Sequence, residues 1–259
     1  MIDSHCHVGF EQTDVADILA RAKAVGVNEM LTVACSLSEY AQLLSILTKY
    51  PMIYGSFGIH PEYAAVMPSD SEMLEKLSAH PNIVAVGECG LDYHYNPDTK
   101  EIQRSVFERQ IEIAHQIKKP LIVHAREADD DVISILCSAN RAGLLTHSGV
   151  LHCFTGSSKL AEKALEFGFY ISASGVITFK NADAIRTVFQ TVPLDRLLIE
   201  TDSPYMAPVP YRGKVNEPSF MIKTAEKLAE IKGVLLAEID KITTRNFYTL
   251  FKKGVGYEG

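Results

Sequence analysis

The stretch IVAVGE, residues 83–88, is an apolar run that ends in an acidic residue, and apolar runs of this kind recur along the chain. Most of them are continuously apolar rather than alternating, which is typical of parallel strands that are covered on both faces. We predict eight strands, at residues 1–4, 30–34, 53–59, 83–87, 121–123, 149–151, 169–173 and 197–199.

Amphipathic stretches between these runs predict helices. One covers residues 15–25 and has Asp14 as its N-cap, and another covers residues 102–117 and has Asp98 as its N-cap. Strands that alternate with helices in this way form β/α units.

The number of units decides between two α/β folds. Eight units in 259 residues match a (β/α)8 barrel, whereas a doubly wound sheet normally uses fewer strands. Two further helices are predicted at residues 220–232 and 235–251, separated by Gly233 as a helix stop. We therefore predict a single-domain TIM barrel over residues 1–259 with extra C-terminal helices.

Composition and charge limit the possible locations and partners. The longest uncharged stretch, residues 167–179, is shorter than the roughly 18 residues of a membrane span, and we expect no targeting segment and a cytoplasmic location. Five cysteines without a CxxC motif argue for a reducing compartment. The net charge of −7 means that an acidic substrate such as nucleic acid would need local positive charge.

Side chains that can bind metals follow several of the predicted strands. Residues two apart in a strand share a face, so His5 and His7 form a pair of nitrogen ligands, although a lone HxH is more often an ordinary loop feature. In a barrel the carboxyl ends of all strands meet at one mouth. Six candidate ligands would converge there: His5, His7, Glu88, His124, His152 and Asp202.

Six ligands exceed what one tetrahedral ion needs. Two divalent ions roughly 3.5 to 4 Å apart would use all of them, with Glu88 as the bridge. Imidazole and carboxylate together leave the metal open between Mg, Mn and Zn.

Five sequence blocks resemble those of the TatD-type metal-dependent deoxyribonucleases, a branch of the amidohydrolase-like barrels. They are DSHCH (3–7), GECGLDY (87–93), IVHAREA (122–128), LHCFTGS (151–157) and IETDSPYMAPVPYRGKVNEP (199–218). The resemblance covers nearly the whole chain and implies the same six ligands, divalent-metal dependence and hydrolysis of DNA phosphodiesters. Ala125 and Val215 depart from the family pattern. Because neither is a proposed ligand, these departures bear on contacts with the substrate and not on the metal chemistry.

Three acidic residues have expected roles, that of Asp202 implied by the resemblance and those of Glu200 and Asp3 by their positions on the predicted strands. Asp202 would hold one metal and accept the proton of the attacking water. Glu200 would orient that water or a ligand, or would be an acid of the barrel interior. Asp3 would accept the N–H of a ligating histidine or bond to backbone.

Other polar residues near the predicted mouth are candidates for substrate binding. His60 is expected to donate to a phosphate, and Arg126, Arg212 and Lys214 to supply the local positive charge. The cysteines beside the ligands, Cys6, Cys89 and Cys153, are expected to face the opposite side as small buried hydrophobes.

Three functions remain open from the sequence. The first is a deoxyribonuclease, exonucleolytic on single-stranded or frayed DNA ends. The second is a metal-dependent amide or ester hydrolase, such as a deacylase of misacylated tRNA, because the same centre activates water against a carbonyl carbon. The third, a non-catalytic metal or nucleic-acid binding protein, would not require so many converging ligands. DNA is the expected partner, and we expect no membrane partner and no obligate protein partner.

Overall fold

Eight parallel strands form the centre of the molecule in a computed structural model that describes residues 1–10 and 14–252. The strands are β1 (Ile2–Cys6), β2 (Glu29–Ala34), β3 (Ile53–Phe57), β4 (Ile83–Asp92), β5 (Leu121–Arg126), β6 (Gly149–Leu151), β7 (Tyr170–Ala173) and β8 (Leu197–Ile199). They pair in sequence order from β1 to β8. Residues 11–13 and 253–259, which the predicted single domain includes, lie outside the described part of the chain.

The first and last strands approach each other and nearly close the sheet. Asp202 N–H donates to His5 O at 2.9 Å, and His7 N–H donates to Ser203 O at 2.8 Å. The buried Asp3 carboxylate accepts hydrogen bonds from Thr201 N at 3.0 Å and Thr201 Oγ1 at 2.6 Å. The predicted TIM barrel is therefore confirmed. Asp3 also accepts from the backbone N of His5 at 3.3 Å, so of its two expected roles the structure shows bonding to backbone and not to a histidine ring.

Helices follow the strands in turn. They are α1 (Val15–Ala24), α2 (Leu37–Lys49), α3 (Asp70–Ser78), α4 (Lys100–Ile117), α5 (Asp129–Arg141), α6 (Ser158–Glu166), α7 (Asp183–Thr191), α8 (Met221–Lys232) and α9 (Leu236–Phe251). The C-terminal pair, α8 and α9, was predicted from the sequence. No helix among the described residues is long and apolar enough to cross a membrane.

The predicted helix caps have mixed outcomes. Asp14 accepts from Ala16 N at 2.8 Å and caps α1, and Gly233 ends α8 in the left-handed conformation with φ 66°. Asp98 is not the N-cap of α4, because it lies in a short 3₁₀ turn, Pro97–Thr99, and the helix begins after that turn.

The strand side chains divide into two apolar layers. Residues such as Met30 and Val123 pack with the surrounding helices, while their neighbours Leu31 and Ile122 belong to a separate cluster and therefore point into the barrel. Helix α9 contributes side chains to this interior cluster, Phe247, Leu250 and Phe251. Since the Phe247 ring centroid lies 5.5 Å from that of Tyr54, near the start of β3, α9 covers the amino ends of the strands and leaves the opposite end as the open mouth.

Three strands extend beyond their predicted ends toward the mouth, and β1 does so by two residues, through Cys6. β4 continues through Asp92 and β5 through Arg126, with Gly90 opposite His124 in the register. A Cβ on Gly90 would collide with the carbonyl oxygen of His124, and Gly90 has φ 129°. Glycine at this position therefore permits the close approach of the two strands that carry Glu88 and His124.

Candidate metal centre

Six polar side chains meet where the strands end at the mouth. The structure brings together all the ligands proposed from the sequence: His5, His7, Glu88, His124, His152 and Asp202. Each lies in the mouth-side half of a strand or within a few residues after a strand, and the apolar strand residues are buried, so the fold fixes the backbone from which the side chain projects.

The two carboxylate oxygens of Glu88 face different sets of side chains. Glu88 Oε2 lies 3.4 Å from His5 Nε2 and 3.6 Å from Cys35 Sγ. Glu88 Oε1 lies 2.8 Å from His124 Nδ1 and 2.7 Å from His152 Nε2. We call the first set, completed by His7 and Asp202, the Oε2 group, and the second set, completed by His60, the Oε1 group.

Distances between donor atoms test whether these residues suit a cation. Around a tetrahedral ion with metal–nitrogen and metal–oxygen bonds near 2.1 Å, neighbouring donor atoms lie roughly 3.3–3.6 Å apart. In the Oε2 group, His5 Nε2 and His7 Nε2 are 3.4 Å apart, and His7 Nε2 is 3.6 Å from Asp202 Oδ1. In the Oε1 group, His124 Nδ1 and His152 Nε2 are 3.3 Å apart. The Oε2 group therefore fits a divalent cation in spacing and in donor chemistry. The Oε1 group fits in donor chemistry, but Glu88 Oε1 lies at hydrogen-bond distance from its two histidine nitrogens and would have to move away from them to share an ion.

Hydrogen bonds on the far side of two imidazoles select which nitrogen faces the cluster. His7 Nδ1–H donates to Val33 O at 3.1 Å, and His124 Nε2–H donates to Asp92 Oδ2 at 3.1 Å. These bonds leave the lone pairs on His7 Nε2 and His124 Nδ1, the atoms that point toward the other ligands. Such partners orient metal-binding imidazoles and raise their basicity.

Asp92 is a site residue that the sequence analysis missed. Burial opposes its ionisation, but hydrogen bonds from His124 and from the N–H groups of Tyr95 and His94 outweigh burial and hold the pKa of Asp92 at about 2. Gln103 fixes the same residue through its backbone, accepting from Asp92 N at 2.8 Å. The available signal was its position in the GECGLDY block, four residues after Glu88.

Glu200 lies behind the ligands rather than at the mouth. It is fully buried, its carboxylate accepts a hydrogen bond from Cys153 N, and its Oε1 lies 3.5 Å from His152 Nδ1. Glu200 Oε2 and His5 Nδ1 are buried without a hydrogen-bond partner among the described residues. Of the two roles considered from the sequence, this position suits the orientation of a ligand, not contact with an attacking water.

His60 belongs to the Oε1 group, with its Nε2 3.6 Å from Glu88 Oε1. Burial outweighs the attraction of Glu88 and lowers the pKa of His60 to about 4, so this imidazole is neutral near neutral pH. Its Nδ1 accepts from Glu62 N at 3.2 Å, which places the proton on Nε2. The Nε2–H therefore faces Glu88 Oε1, and donation to a phosphate stays a prediction.

The three basic side chains expected to bind the substrate differ in how far other residues already contact them. The Arg126 guanidinium lies 5.0 Å from the centroid of the exposed Tyr95 ring. Arg212 packs on Phe179 at 3.9 Å and donates to Ala207 O at 3.1 Å, so it is partly engaged with its own loop. Lys214 is exposed.

The cysteines beside the ligands do not all face away from the mouth. Cys6 and Cys89 donate to the carbonyls of Leu31 and Ile122, each at 3.4 Å, and pack with the helices as expected. The expectation for Cys153 is wrong, because its φ of 40° interrupts the strand alternation, and its thiol contacts Ser174 Oγ and the Asp202 carboxylate.

Similar proteins are found by sequence and by structure. The family model described as TatD related DNase matches residues 2–252. The chain is 44% identical to the uncharacterized metal-dependent hydrolase YcfH of Escherichia coli, over 97% of this chain and 95% of that protein. It is 40% identical to the uncharacterized metal-dependent hydrolase YabD of Bacillus subtilis, over 97% and 99%. The crystal structure of YJJV, a TatD homologue from E. coli, superposes with a TM-score of 0.90 at 30% identity and covers 97% of this chain and 98% of that one.

Proposed function

The chain belongs to the family of TatD-related DNases, and from this membership we propose that it is a metal-dependent hydrolase that cleaves DNA phosphodiester bonds. We further propose that it uses two divalent ions and acts as an exonuclease on single-stranded or frayed ends. The cytoplasmic location and the absence of an obligate protein partner stay predictions.

One observation carries the proposal of two ions, namely the division of ligands by the Glu88 carboxylate. Each oxygen faces its own group of donors, at 3.4 Å from His5 Nε2 on one side and 2.7 Å from His152 Nε2 on the other. A carboxylate that gives one oxygen to each of two ions is the usual bridge in binuclear sites. Ions bound there would polarise a phosphoryl oxygen and lower the pKa of a bound water.

Protein side chains have the remaining tasks in hydrolysis. The Asp202 carboxylate lies at the mouth, with its Oδ1 3.6 Å from His7 Nε2, and we assign it to accept the proton of the attacking water. The neutral His60 Nε2–H is placed to donate to a phosphate oxygen. Glu200 Oε1 lies 3.5 Å behind His152 Nδ1, at ion-pair distance but without a hydrogen bond.

The shape of the mouth supports a nucleic-acid strand as substrate. A cleft of about 820 Å³ is lined by residues that follow four different strands, Arg126, Thr155, Phe179 and Met206. Arg126 comes two residues after His124, Thr155 three after His152 and Met206 four after Asp202, so loops that follow the ligands form the cleft, while none of the six ligands lines it. Its volume exceeds what a single phosphate group needs.

Exposed tyrosines at the mouth support a single-stranded substrate in particular. The side chain of Tyr95 is 69% exposed and that of Tyr205 is 59% exposed, and the Tyr205 ring centroid lies 5.9 Å from that of His7. Unpaired bases stack on aromatic rings, whereas bases inside a duplex are already stacked on one another. Two accessible rings beside the ligands therefore favour a frayed or single-stranded end.

The test measures nucleotide release and acyl release on the same preparation. Protein stripped with chelator should not release nucleotides from linear single-stranded DNA, and Mg²⁺, Mn²⁺ or Zn²⁺ should restore release. Elemental analysis should find two ions per chain in the active form. Deacylation of misacylated tRNA that exceeds DNA cleavage under every metal would contradict the proposed substrate, and full activity with one ion per chain would contradict the binuclear centre.

A further inference from the structure

We propose that Cys35 is a thiolate ligand of the Oε2 group, which makes this half of the centre prefer thiophilic divalent ions such as Zn²⁺ and Co²⁺ over Mg²⁺. The inference rests on the metal centre of the proposed function but not on DNA as the substrate. Neither the sequence blocks nor the six ligands proposed from the sequence include this cysteine.

The position of Cys35 follows from strand alternation. Leu31 and Val33 on β2 point into the barrel, and Cys35, two residues further on and directly after the strand, continues the same face at the mouth. It is buried, and its Sγ forms a group with donor atoms of His7 and Glu88 that lie within 4.8 Å of one another.

The distance from Cys35 to Glu88 suits a shared ion. With a metal–sulfur bond near 2.3 Å and a metal–oxygen bond near 2.1 Å, sulfur and oxygen on a tetrahedral ion lie roughly 3.6 Å apart. Cys35 Sγ and Glu88 Oε2 are 3.6 Å apart. In the structure the Cys35 S–H donates to Glu88 Oε2, and the length of this contact also matches that between two ligands of one tetrahedral ion.

Backbone hydrogen bonds hold Cys35 on both sides. Its N–H donates to Glu39 Oε2 on α2 at 2.6 Å, and its carbonyl accepts from His60 N at 3.0 Å. The second bond ties Cys35 to a residue of the Oε1 group. This fixation favours a defined role in the cluster over a loose packing role.

The other cysteines have different surroundings. Cys6 and Cys89 donate to backbone carbonyls on the far side of the sheet, and Cys153 contacts Ser174 Oγ at 3.1 Å. Cys137 lies on α5, outside the barrel. Of the cysteines among the described residues, only Cys35 belongs to a group of three candidate ligands together with a histidine and a carboxylate.

The chemistry is a ligand exchange without oxidation. The S–H bond of Cys35 breaks, the sulfur forms a bond to the ion, and the proton leaves to solvent. Thiolate is a soft ligand that selects zinc and related ions, whereas carboxylates and water suit Mg²⁺ and Mn²⁺. The thiol thus adds a preference that histidine and carboxylate ligands alone leave open.

Co²⁺ spectroscopy on the full-length protein tests the proposal without an activity assay. We expect Co²⁺ to give a sulfur-to-cobalt charge-transfer band in the near ultraviolet, and Cys35→Ser to lose this band while the visible bands of bound Co²⁺ remain. Cys89→Ser is the matched control, since its buried thiol faces away, and Cys153→Ser tests the other thiol near Asp202. Both should keep the band.

Metal competition provides a second measurement. Loss of an orienting partner of a ligand typically weakens metal binding 10–100-fold, so loss of a direct ligand in Cys35→Ser should weaken Zn²⁺ binding by at least about tenfold and change Mg²⁺ binding little. Far-UV circular dichroism verifies the fold of each variant. If a variant misfolds, the presence or absence of the charge-transfer band in Co²⁺-loaded wild-type protein still tests the proposal.

The failures of the two proposals can be told apart. Visible Co²⁺ bands without a charge-transfer band in the wild type, or a band that disappears only in Cys153→Ser, would overturn the role of Cys35 and leave the metal centre intact. No Co²⁺ or Zn²⁺ binding at all, together with hydrolysis that resists chelator, would overturn the metal centre itself.

Discussion

Two carboxylates contact imidazoles of the Oε1 group on the side away from Glu88. Asp92 accepts from His124 Nε2 at 3.1 Å, and Glu200 lies 3.5 Å from His152 Nδ1. Each imidazole therefore has Glu88 at one nitrogen and a second carboxylate at the other. For His124 the hydrogen bond to Asp92 fixes the ring orientation and increases the electron density on the nitrogen that would bind an ion, whereas His152 Nδ1 has no hydrogen-bond partner among the described residues. In the Oε2 group, His7 Nδ1 donates to a backbone carbonyl, which is a weaker hydrogen-bond acceptor than a carboxylate.

Replacement of Asp92 by asparagine should weaken metal binding. The amide can still contact the His124 ring, but it lacks the charge that makes the ring a better ligand. We expect affinity for the ion of the Oε1 group to fall about 10–100-fold, measured by competition with a chromophoric chelator. Asp98→Asn, in the neighbouring 3₁₀ turn, is the control and should bind as the wild type does. Equal affinity in Asp92→Asn would show that the contact does not support the ligand.

Replacement of Asp202 by asparagine separates metal binding from proton transfer. The amide oxygen keeps its shape and can still face His7, but it is a far poorer proton acceptor. We expect hydrolysis at saturating metal to fall by at least about 10²-fold, with the thermal midpoint little changed. Single-turnover cleavage with elemental analysis of the same sample makes the comparison. A near-native rate would remove Asp202 from proton transfer.

At the scale of elements, the sequence predicted all eight strands because their apolar runs reflect burial on both faces. It missed how far β1, β4 and β5 extend, because polar and glycine residues at their ends still belong to the strands. The same error hid Asp92, since a strand that ends at residue 87 gives no reason to place it at the mouth. Cys35 was missed for another reason, namely that cysteine ending an apolar run is interpreted as one more buried hydrophobe.

Helix α9 has a structural task that can be separated from the chemistry. The ring of Phe247 is almost fully buried between Tyr54 and Phe251 at the closed end of the barrel. Phe247→Ala should lower the free energy of unfolding by about 3–5 kcal/mol, because it leaves a cavity in a packed interior. Denaturant titration measures the change, and Leu235→Ala, exposed beside the same helix, should stay within about 0.5 kcal/mol of the wild type. Loss of metal affinity in folded Phe247→Ala would show that the two ends of the barrel are coupled.

At the scale of the whole molecule, the net charge of −7 must be reconciled with a polyanionic substrate. The acidic side chains that line the cleft already have partners in the structure. Glu127 pairs with His94, Asp129 with Ser157 N, Asp130 with Lys159 and Asp131 with Arg104. The repulsion that they exert on a phosphate is thereby reduced, and Arg126 on the same cleft faces a less negative surface than the total charge suggests.

Few cationic side chains at the mouth imply weak dependence of DNA binding on salt. Each phosphate contact on a single strand contributes roughly 0.7 to the slope of log affinity against log salt, so Arg126, Arg212 and Lys214 together give a slope of only about −2 to −3. Binding should therefore involve a few nucleotides at a strand end, held by the centre and the tyrosines rather than by a long basic groove. The slope is measured by a salt titration of binding to linear single-stranded DNA. In a separate cleavage assay, a covalently closed circle of the same sequence should resist cleavage. Arg126→Gln should make the slope shallower by about 0.7, while Lys49→Gln, on a helix that ends at the opposite side of the barrel, should leave it unchanged. Rapid cleavage of the circle, or a slope several times steeper, would contradict this view, because only an extended binding surface produces either result.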